Sequence, residues 1–401
     1  MEETLRMRLE GAFEEAFGPL EGRRLLWVRS PGRTEIAGNH TDHEGGDVIA
    51  AAVTRYIDGL FSPCEERCMR ILSEGYPLVE IALDEDLSPR EDERHTTAAL
   101  VRGMAAQFKE RGAALHGFEA TVCSGVLGGS GLSSSAAFEL LLGRAMCALW
   151  YEGKASAEEL AIMGQHAERE WFGKPCGLMD QAAVALGGIT HMSFRNEGTI
   201  DARHIDFDFR EQGYAIAIIA VGDDHSANTD DYASVPREMQ QVAALLGVRV
   251  LSEVTETDPT DKLPMIRKEL GDRALLRAIH YFNEMRLVKE RVEALESHDM
   301  PAFLGSTRES GESSAMYLQN VSVGGAQEQP SMVGIAMAEL LLGTRGAQRV
   351  HGGGFGGTIQ AFVPLDEVES FSRRMDAVFG EGACDILDID HEGARALWLQ
   401  D

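Results

Sequence analysis

The chain has 401 residues, 44% of them apolar and 25% charged, which is the balance of a globular protein with more length than one ordinary core can use, so two domains are expected. Its 65 acidic and 37 basic residues leave a formal net charge of −28, a surface that repels DNA, RNA and anionic lipid. No apolar run approaches the roughly 18 residues of a membrane helix and the charged, amphipathic start is not a secretory leader, so no nucleic-acid or membrane partner is expected and the expected address is the cytoplasm.

Leu5, Leu9, Phe13 and Phe17 recur at helical spacing and predict a helix over 3–18. Arg24–Arg29 reads as a short strand ended by Ser30-Pro31-Gly32. Val48–Val53, Ile57–Phe61, Cys68–Leu72 and Leu78–Leu83 read as strands, and Thr96–Lys109 as a helix. Gly117–Cys123 alternates as a strand and feeds a glycine-rich stretch, which opens into a strongly apolar helix over 133–150. A further helix is expected over Ser156–Phe172, with Ser156 as N-cap and Glu158-Glu159 in its first turn. Gly187-Gly188 and the polar stretch Arg195–His204 mark a border, giving expected domains 1–205 and 206–401. Beyond it come an apolar strand, Tyr214–Val221, and helices at 235–247, 272–295, 300–316 and 330–343. Residues 347–364 read as strand, glycine turn and strand, 365–380 as helix, and 384–398 as a short strand and tail. Strands and helices mix without steady βαβ alternation, the pattern of an α+β fold. The six cysteines are dispersed, with no zinc-type spacing, so reduced thiols are expected.

Four stretches carry chemistry. Residues 125–137, GVLGGSGLSSSAA, crowd four glycines into seven positions ahead of three serines and an apolar run. Glycines let a backbone approach a bulky anion, and serines ahead of an apolar run cap a helix whose start attracts phosphate, so this reads as a phosphate loop or as a Gly/Ser turn with no ligand; it lacks the lysine of a Walker A loop. Residues 31–46, PGRTEIAGNHTDHEGG, pack Arg33, Glu35, Asn39, His40, Asp42, His43 and Glu44 between glycines. So dense a set suits sugar hydroxyls, could hold a metal, or could be a solvated loop. Gly352-Gly353-Gly354-Phe355-Gly356-Gly357 lets a loop lie against a ligand or another loop, or turn a hairpin. In AEREWFGKPCGLMDQ, residues 167–181, Glu168 and Asp180 are either two solvated acids of an acid-rich chain or two carboxylates with an obvious use beside phosphate: one to help hold Mg²⁺, one to take or orient a proton.

Together and in this order, the four stretches resemble the galactokinases of the GHMP small-molecule kinase family. The family pattern GRxNxIGEHTDY stands here as GRTEIAGNHTDH (32–43), PxGxGLSSSAA as VLGGSGLSSSAA (126–137), MPCGxMDQ as KPCGLMDQ (174–181), and GGGFGG intact at 352–357. RHSLASSEY corresponds to DHSANTDDY (224–232), and WxxYxKG to TAALVRG (97–103), with Thr97 in place of the aromatic. The resemblance implies a two-lobed α+β fold with the active site between the lobes, and an ATP-dependent sugar 1-kinase. It implies that Gly128, Gly129, Ser130, Gly131, Leu132, Ser133, Ser134 and Ser135 hold the ATP phosphates, with Asp180 as base and Arg33 stabilising charge beside it. It further implies that Ser135, or its neighbour Ser134, positions Mg²⁺ with Glu168, and that Asn39, His40, Asp42, Gly177 and Tyr232 line the sugar pocket. Small-molecule sugar and ATP are then the expected partners, with no obligate protein partner. Galactose is the first sugar expected. Asn39 replaces a family glutamate that bonds the 6-hydroxyl, and His43 replaces a tyrosine and could meet a carboxylate as a cation, so galacturonate is the alternative. A non-catalytic sensor is a second alternative, opposed by the complete serine run, and a mevalonate- or homoserine-type kinase a third, opposed by HTD and PCGLMDQ.

Overall fold

The computed structural model describes residues 3–126, 131–196, 198–222, 229–254, 259–322, 327–355 and 357–399. One sheet is built from β1 (Leu26–Ala37), β2 (Asp47–Cys64), β3 (Cys68–Ser73), β4 (Val79–Ala82), β5 (Gly117–Ser124), β6 (Ile189–Ser193) and β7 (Asp201–Ile205). A second contains β8 (Tyr214–Ala220), β9 (Ala347–Val350), β10 (Thr358–Pro364) and β11 (Cys384–Leu387), in the order β11-β8-β10-β9 and antiparallel throughout. The last strand, β12 (Arg395–Trp398), leaves the second sheet and pairs with Leu26–Arg29 on the edge of the first. The closing segment thus lies across the border expected at 205/206. The helices are α1 (Glu3–Phe17), α2 (Thr97–Glu110), α3 (Ser134–Trp150), α4 (Ala157–His166), α5 (Met179–Leu186), α6 (Thr229–Leu245), α7 (Leu263–Leu270), α8 (Asp272–Glu296), α9 (Met300–Ser313), α10 (Pro330–Leu342) and α11 (Val368–Phe379). The result is the mixed α+β architecture expected from the sequence.

Strand alternation explains the layers. Leu26, Val28 and Phe61 turn to the face covered by α2 to α5, while Trp27, Leu60 and Cys123 turn to the other face and pack on Leu9 and Phe13 of α1. β8 is apolar on both faces because each face is covered, and β10 is buried on both but turns Thr358 and Gln360 to one of them, Gln360 donating to Thr34 and the Glu35 carbonyl. Ala217, Ile219, Ile359 and Ala361 meet α10 and α11, and Ile216, Ile218 and Phe362 join the main core with Phe303 of α9.

Two expected breaks are absent. β1 runs through Ser30-Pro31-Gly32, because register shifts at Pro31/Gly32 and Glu35/Ala37 absorb the irregular residues. Gly32 is needed there: a Cβ would lie 2.9 Å from the carbonyl oxygen of Leu132. The two strands expected within 48–61 are one, β2, with Thr54 and Arg55 bulged out of its pairing with β1. Other differences are additions. Arg195–His204, expected as linker, contributes β7, and α7 was not anticipated. Ser156 does form a capping box with Glu159, but the helix that it starts changes to a π-turn over Ala167–Phe172.

The lobes are joined by buried charge. Glu35 of β1 pairs with Arg349 of β9, both essentially without solvent contact. Glu284 of α8 lies 3.6 Å from Arg291 and accepts from the Gly38 amide (3.1 Å) and Ser310 (2.9 Å). Arg291 and Arg349 both donate to the Ile36 carbonyl, at 2.7 and 3.3 Å. Burial pushes the Glu284 carboxyl up, but Arg291, His280 and Arg349 outweigh it and hold it at about 2. A depressed acid stabilises the fold fully above the ordinary glutamate range and loses that contribution as pH falls towards about 2. Glu284→Gln is therefore expected to lower unfolding free energy by about 3–5 kcal/mol at neutral pH by leaving Arg291 uncompensated. Urea midpoints measured against pH should show the gap to wild type narrowing as the solution is acidified; a gap that stays constant contradicts this role.

Candidate active site

Arg33 leaves the middle of β1 and Asp180 stands in the first turn of α5. The guanidinium grips the carboxylate with both ends, Nε to Oδ1 at 2.6 Å and Nη2 to Oδ2 at 2.7 Å. Its remaining nitrogen donates to the Gly131 carbonyl at 2.5 Å, and the Arg33 amide donates to the Leu132 carbonyl at 3.0 Å. The phosphate loop's described end is thus bound to the same arginine that holds the carboxylate. Ser133 donates its hydroxyl to Asp180 Oδ2 from a left-handed backbone (φ 57°). It occupies the N-cap of α3 without bonding the helix, so the first amides of α3 receive no cap from it, although the sequence predicted serine capping. Burial raises the Asp180 carboxyl, but Arg33, Ser133 and Lys174 prevail and hold it below the usual aspartate range.

The sugar-motif side chains gather beside this pair, in two groups. Asp42 approaches so closely to Gly177 that no Cβ could fit between them. Its carboxyl is raised by burial and by Asp180. His40, with φ 63°, sends Nε2 to the Gly353 carbonyl (2.9 Å) and packs its ring against both His43 (5.7 Å) and Tyr232 of α6 (5.2 Å). His43 Nε2 meets the Tyr232 hydroxyl at 3.3 Å. Burial brings His40 down to about 3 and His43 to about 4, the latter aided by Arg169 and Lys174. Burial therefore disfavours the charged form of both rings. Tyr232 in turn lies flush on Gly353, where a side chain would clash.

Asn39 belongs to the second group. It is fully buried and bonded on every side. Its amide nitrogen donates to the Gly352 carbonyl (2.6 Å) and Glu35 (3.2 Å), and its oxygen accepts from Asn320 (2.9 Å) and Ser314 (3.3 Å). An amide has two donors and two lone pairs, so the protein uses all of them. The glycine loop accordingly lies against another loop. Gly352 and Gly353 receive the sugar motif, and Phe355, at φ 61°, donates its amide to Asn320 at 2.5 Å.

The π-turn rotates Glu168 inward to 2% exposure. Its Oε1 accepts from Ser135 (2.9 Å) and Lys174 (3.0 Å), and Oε2 from Gln181 (2.8 Å). Gln181 also donates to Glu139 at 2.9 Å, whose carboxyl is raised well above the usual range by burial and by Glu168. Of the two serines considered, Ser135 is the one on Glu168. A hydroxyl and a carboxylate are hard oxygen donors that fit Mg²⁺. Among the described residues no group of three or more His, Cys, Asp or Glu could hold a metal alone, so nucleotide phosphates and water would complete the shell. Gly128, Gly129 and Ser130 lie outside the described residues, as do Gly356 and residues 224–228 of the segment leading to Tyr232. Sequence reasoning missed Asn320, Ser314 and Arg349, which no motif marked, and Lys174, which was visible as the departure from methionine in KPCGLMDQ.

Comparison with known proteins gives the family. The GHMP kinases N terminal domain matches residues 99–188, and the galactokinase galactose-binding signature matches residues 11–63. The chain is 32% identical over 354 residues to the galactokinase of Actinobacillus pleuropneumoniae serotype 3, covering 86% of this chain and 87% of that one. To the galactokinase of Streptomyces coelicolor it is 30% identical over 372 residues, 92% of each chain. The fold superposes on Lactococcus lactis galactokinase complexed with galactose with a TM-score of 0.82 at 23% identity, over 98% of this chain and 100% of the other. Methanococcus jannaschii mevalonate kinase gives 0.63 at 14%, over 94% and 98%. The chain belongs to the galactokinases, within the GHMP kinases.

Proposed function

We propose that this protein phosphorylates galactose at C1, converting galactose and ATP to galactose 1-phosphate and ADP. The observation that carries the reading is the bidentate Arg33–Asp180 pair, joined on one side to the phosphate loop through Gly131 and Ser133 and flanked on the other by Asp42 and Gly177.

In this reading the anomeric oxygen attacks the γ-phosphorus, the bond from phosphorus to the bridging oxygen of ADP breaks, and the hydroxyl proton passes to Asp180. A carboxylate held this acidic is a weak base towards a resting sugar hydroxyl. Phosphoryl transfer runs through a loose transition state in which the hydroxyl becomes acidic only as the new bond forms. Asp180 therefore orients the nucleophile first and receives its proton late, while Arg33 stabilises charge on the reacting oxygens. The amides at the start of α3 suit the phosphates. Ser135 and Glu168 would hold Mg²⁺, which supplies charge neutralisation of the phosphates. His40, Asp42, Gly177 and Tyr232 line the proposed sugar pocket, with one acceptor suited to hydroxyls and a His40 ring whose charged form burial disfavours. Asn39 supports that pocket from behind. A saturated Asn39 and a His43 whose charged form burial disfavours offer little to a 6-carboxylate, which favours galactose over galacturonate. The proposed lobes are 1–205 and 206–401, with β12 added to the first lobe's sheet. A cytoplasmic setting suits the six free cysteines.

ADP release with Mg-ATP should be clear with galactose and at least about tenfold weaker with galacturonate at equal concentration, the discrimination expected of one well-placed polar contact. Preference for the acid would overturn the choice of sugar, and silence with every sugar would leave only a binding protein. Asp180→Asn is expected to lower kcat by about a hundredfold or more while ATP affinity by calorimetry stays near wild type. Near-normal turnover in that variant would remove Asp180 from the reaction.

A further inference from the structure

Lysine stands at position 174 where the family pattern has methionine, and it follows Gly173, whose left-handed backbone (φ 88°) ends the π-turn. Its ammonium lies 3.0 Å from Glu168 Oε1, the same oxygen that accepts from Ser135 at 2.9 Å. One carboxylate oxygen thus joins this cation to a hydroxyl in the first turn of α3. The two partners are unequal: the Glu168 side chain is 2% exposed and that of Lys174 is 46% exposed. Asp180, His43 and Tyr232 all lie close enough to feel its charge.

The neighbouring guanidiniums are committed elsewhere. Arg33 is bidentate on Asp180, and Arg169 donates to the Cys176 carbonyl. An ammonium has three donors, and the Glu168 contact uses one. The surrounding net charge of −28 opposes any nucleotide, most strongly one whose phosphates carry no metal. A cation in this position is what such a nucleotide lacks. We propose that Lys174 is a phosphate-binding residue whose ammonium, based on Glu168, reaches the terminal phosphates of ATP and makes nucleotide binding weakly dependent on Mg²⁺. The inference rests on the reading above that Ser135 and Glu168 face those phosphates.

Calorimetric titration of ATP into the full chain, once with excess Mg²⁺ and once with EDTA, tests it. Wild type should bind ATP in EDTA within about tenfold of its affinity with Mg²⁺. Lys174→Met should lose about a further tenfold in EDTA, the value of one charge-assisted contact, and less than about threefold with Mg²⁺. Lys174→Arg should keep the wild-type ratio. If Lys174 only neutralises Glu168, the methionine variant will show the same ratio between the two buffers as wild type, and the proposal fails. It fails equally if wild type loses more than about a hundredfold in EDTA, or if the arginine variant behaves like the methionine one. Wild type that binds no ATP in either buffer would overturn the kinase reading, and this inference with it. Galactose turnover that persists beside a failed EDTA result would sink the Lys174 proposal alone.

Discussion

Charge enclosed between the lobes is the constraint from which the rest of the site follows. Glu35, Arg349, Glu284 and Arg291 have almost no solvent contact, and ions removed from water are tolerated only where opposite charge and hydrogen bonds meet them closely. Their partners come from β1, β9, α8 and α9, so neither lobe satisfies them alone. Both arginines also bond the carbonyl of Ile36. The backbone from Arg33 to Asn39 is therefore clamped by Arg291 and Arg349, which fixes Arg33 on β1 and the start of the sugar motif that follows it. Hydrophobic contact would hold the lobes together without fixing this register; directional ionic bonds fix it.

Much of the candidate site is legible in the sequence because its residues stand in short motifs. Arg33, Asp180, Ser133, Ser135, Glu168, Asp42 and Tyr232 come together from stretches whose residue types had already been assigned chemistry. The clamp was not legible. Glu35 and Arg349 are 314 residues apart, and nothing local to either one marks a buried ion. The π-turn was hidden for a different reason: the apolar spacing of 156–172 fits a continuous helix, and only packing reveals the extra residue per turn that turns Glu168 inward. The Pro31-Gly32 break failed because turn residues were read without allowing that a bulge can keep them inside a strand.

Asn39 shows how a correct observation led to an incomplete inference. Taken singly, it looks like the loss of a carboxylate from the sugar motif. The family pattern, however, carries Asn where this chain has Glu35, and Glu where it has Asn39. The amide and the carboxylate have exchanged places four residues apart, and here they bond one another at 3.2 Å. The carboxylate is kept but faces Arg349 in the clamp, and the amide takes up the glycine loop. Two departures that look independent along the sequence are one rearrangement in space.

The pairing of β12 with β1 bears on how the molecule comes into being. The edge that β12 covers, Leu26–Arg29, ends four residues before Arg33, yet the covering segment, Arg395–Trp398, is made only after more than three hundred further residues. During synthesis the first sheet must wait, with an open edge and an incomplete clamp, for more than three hundred residues to emerge. Long-range pairing of this kind is slow and exposes the nascent chain to aggregation. Pausing while Arg395–Trp398 is being made, or a change that weakens its pairing with Leu26–Arg29, would therefore bear on the yield of folded protein out of proportion to the few residues concerned.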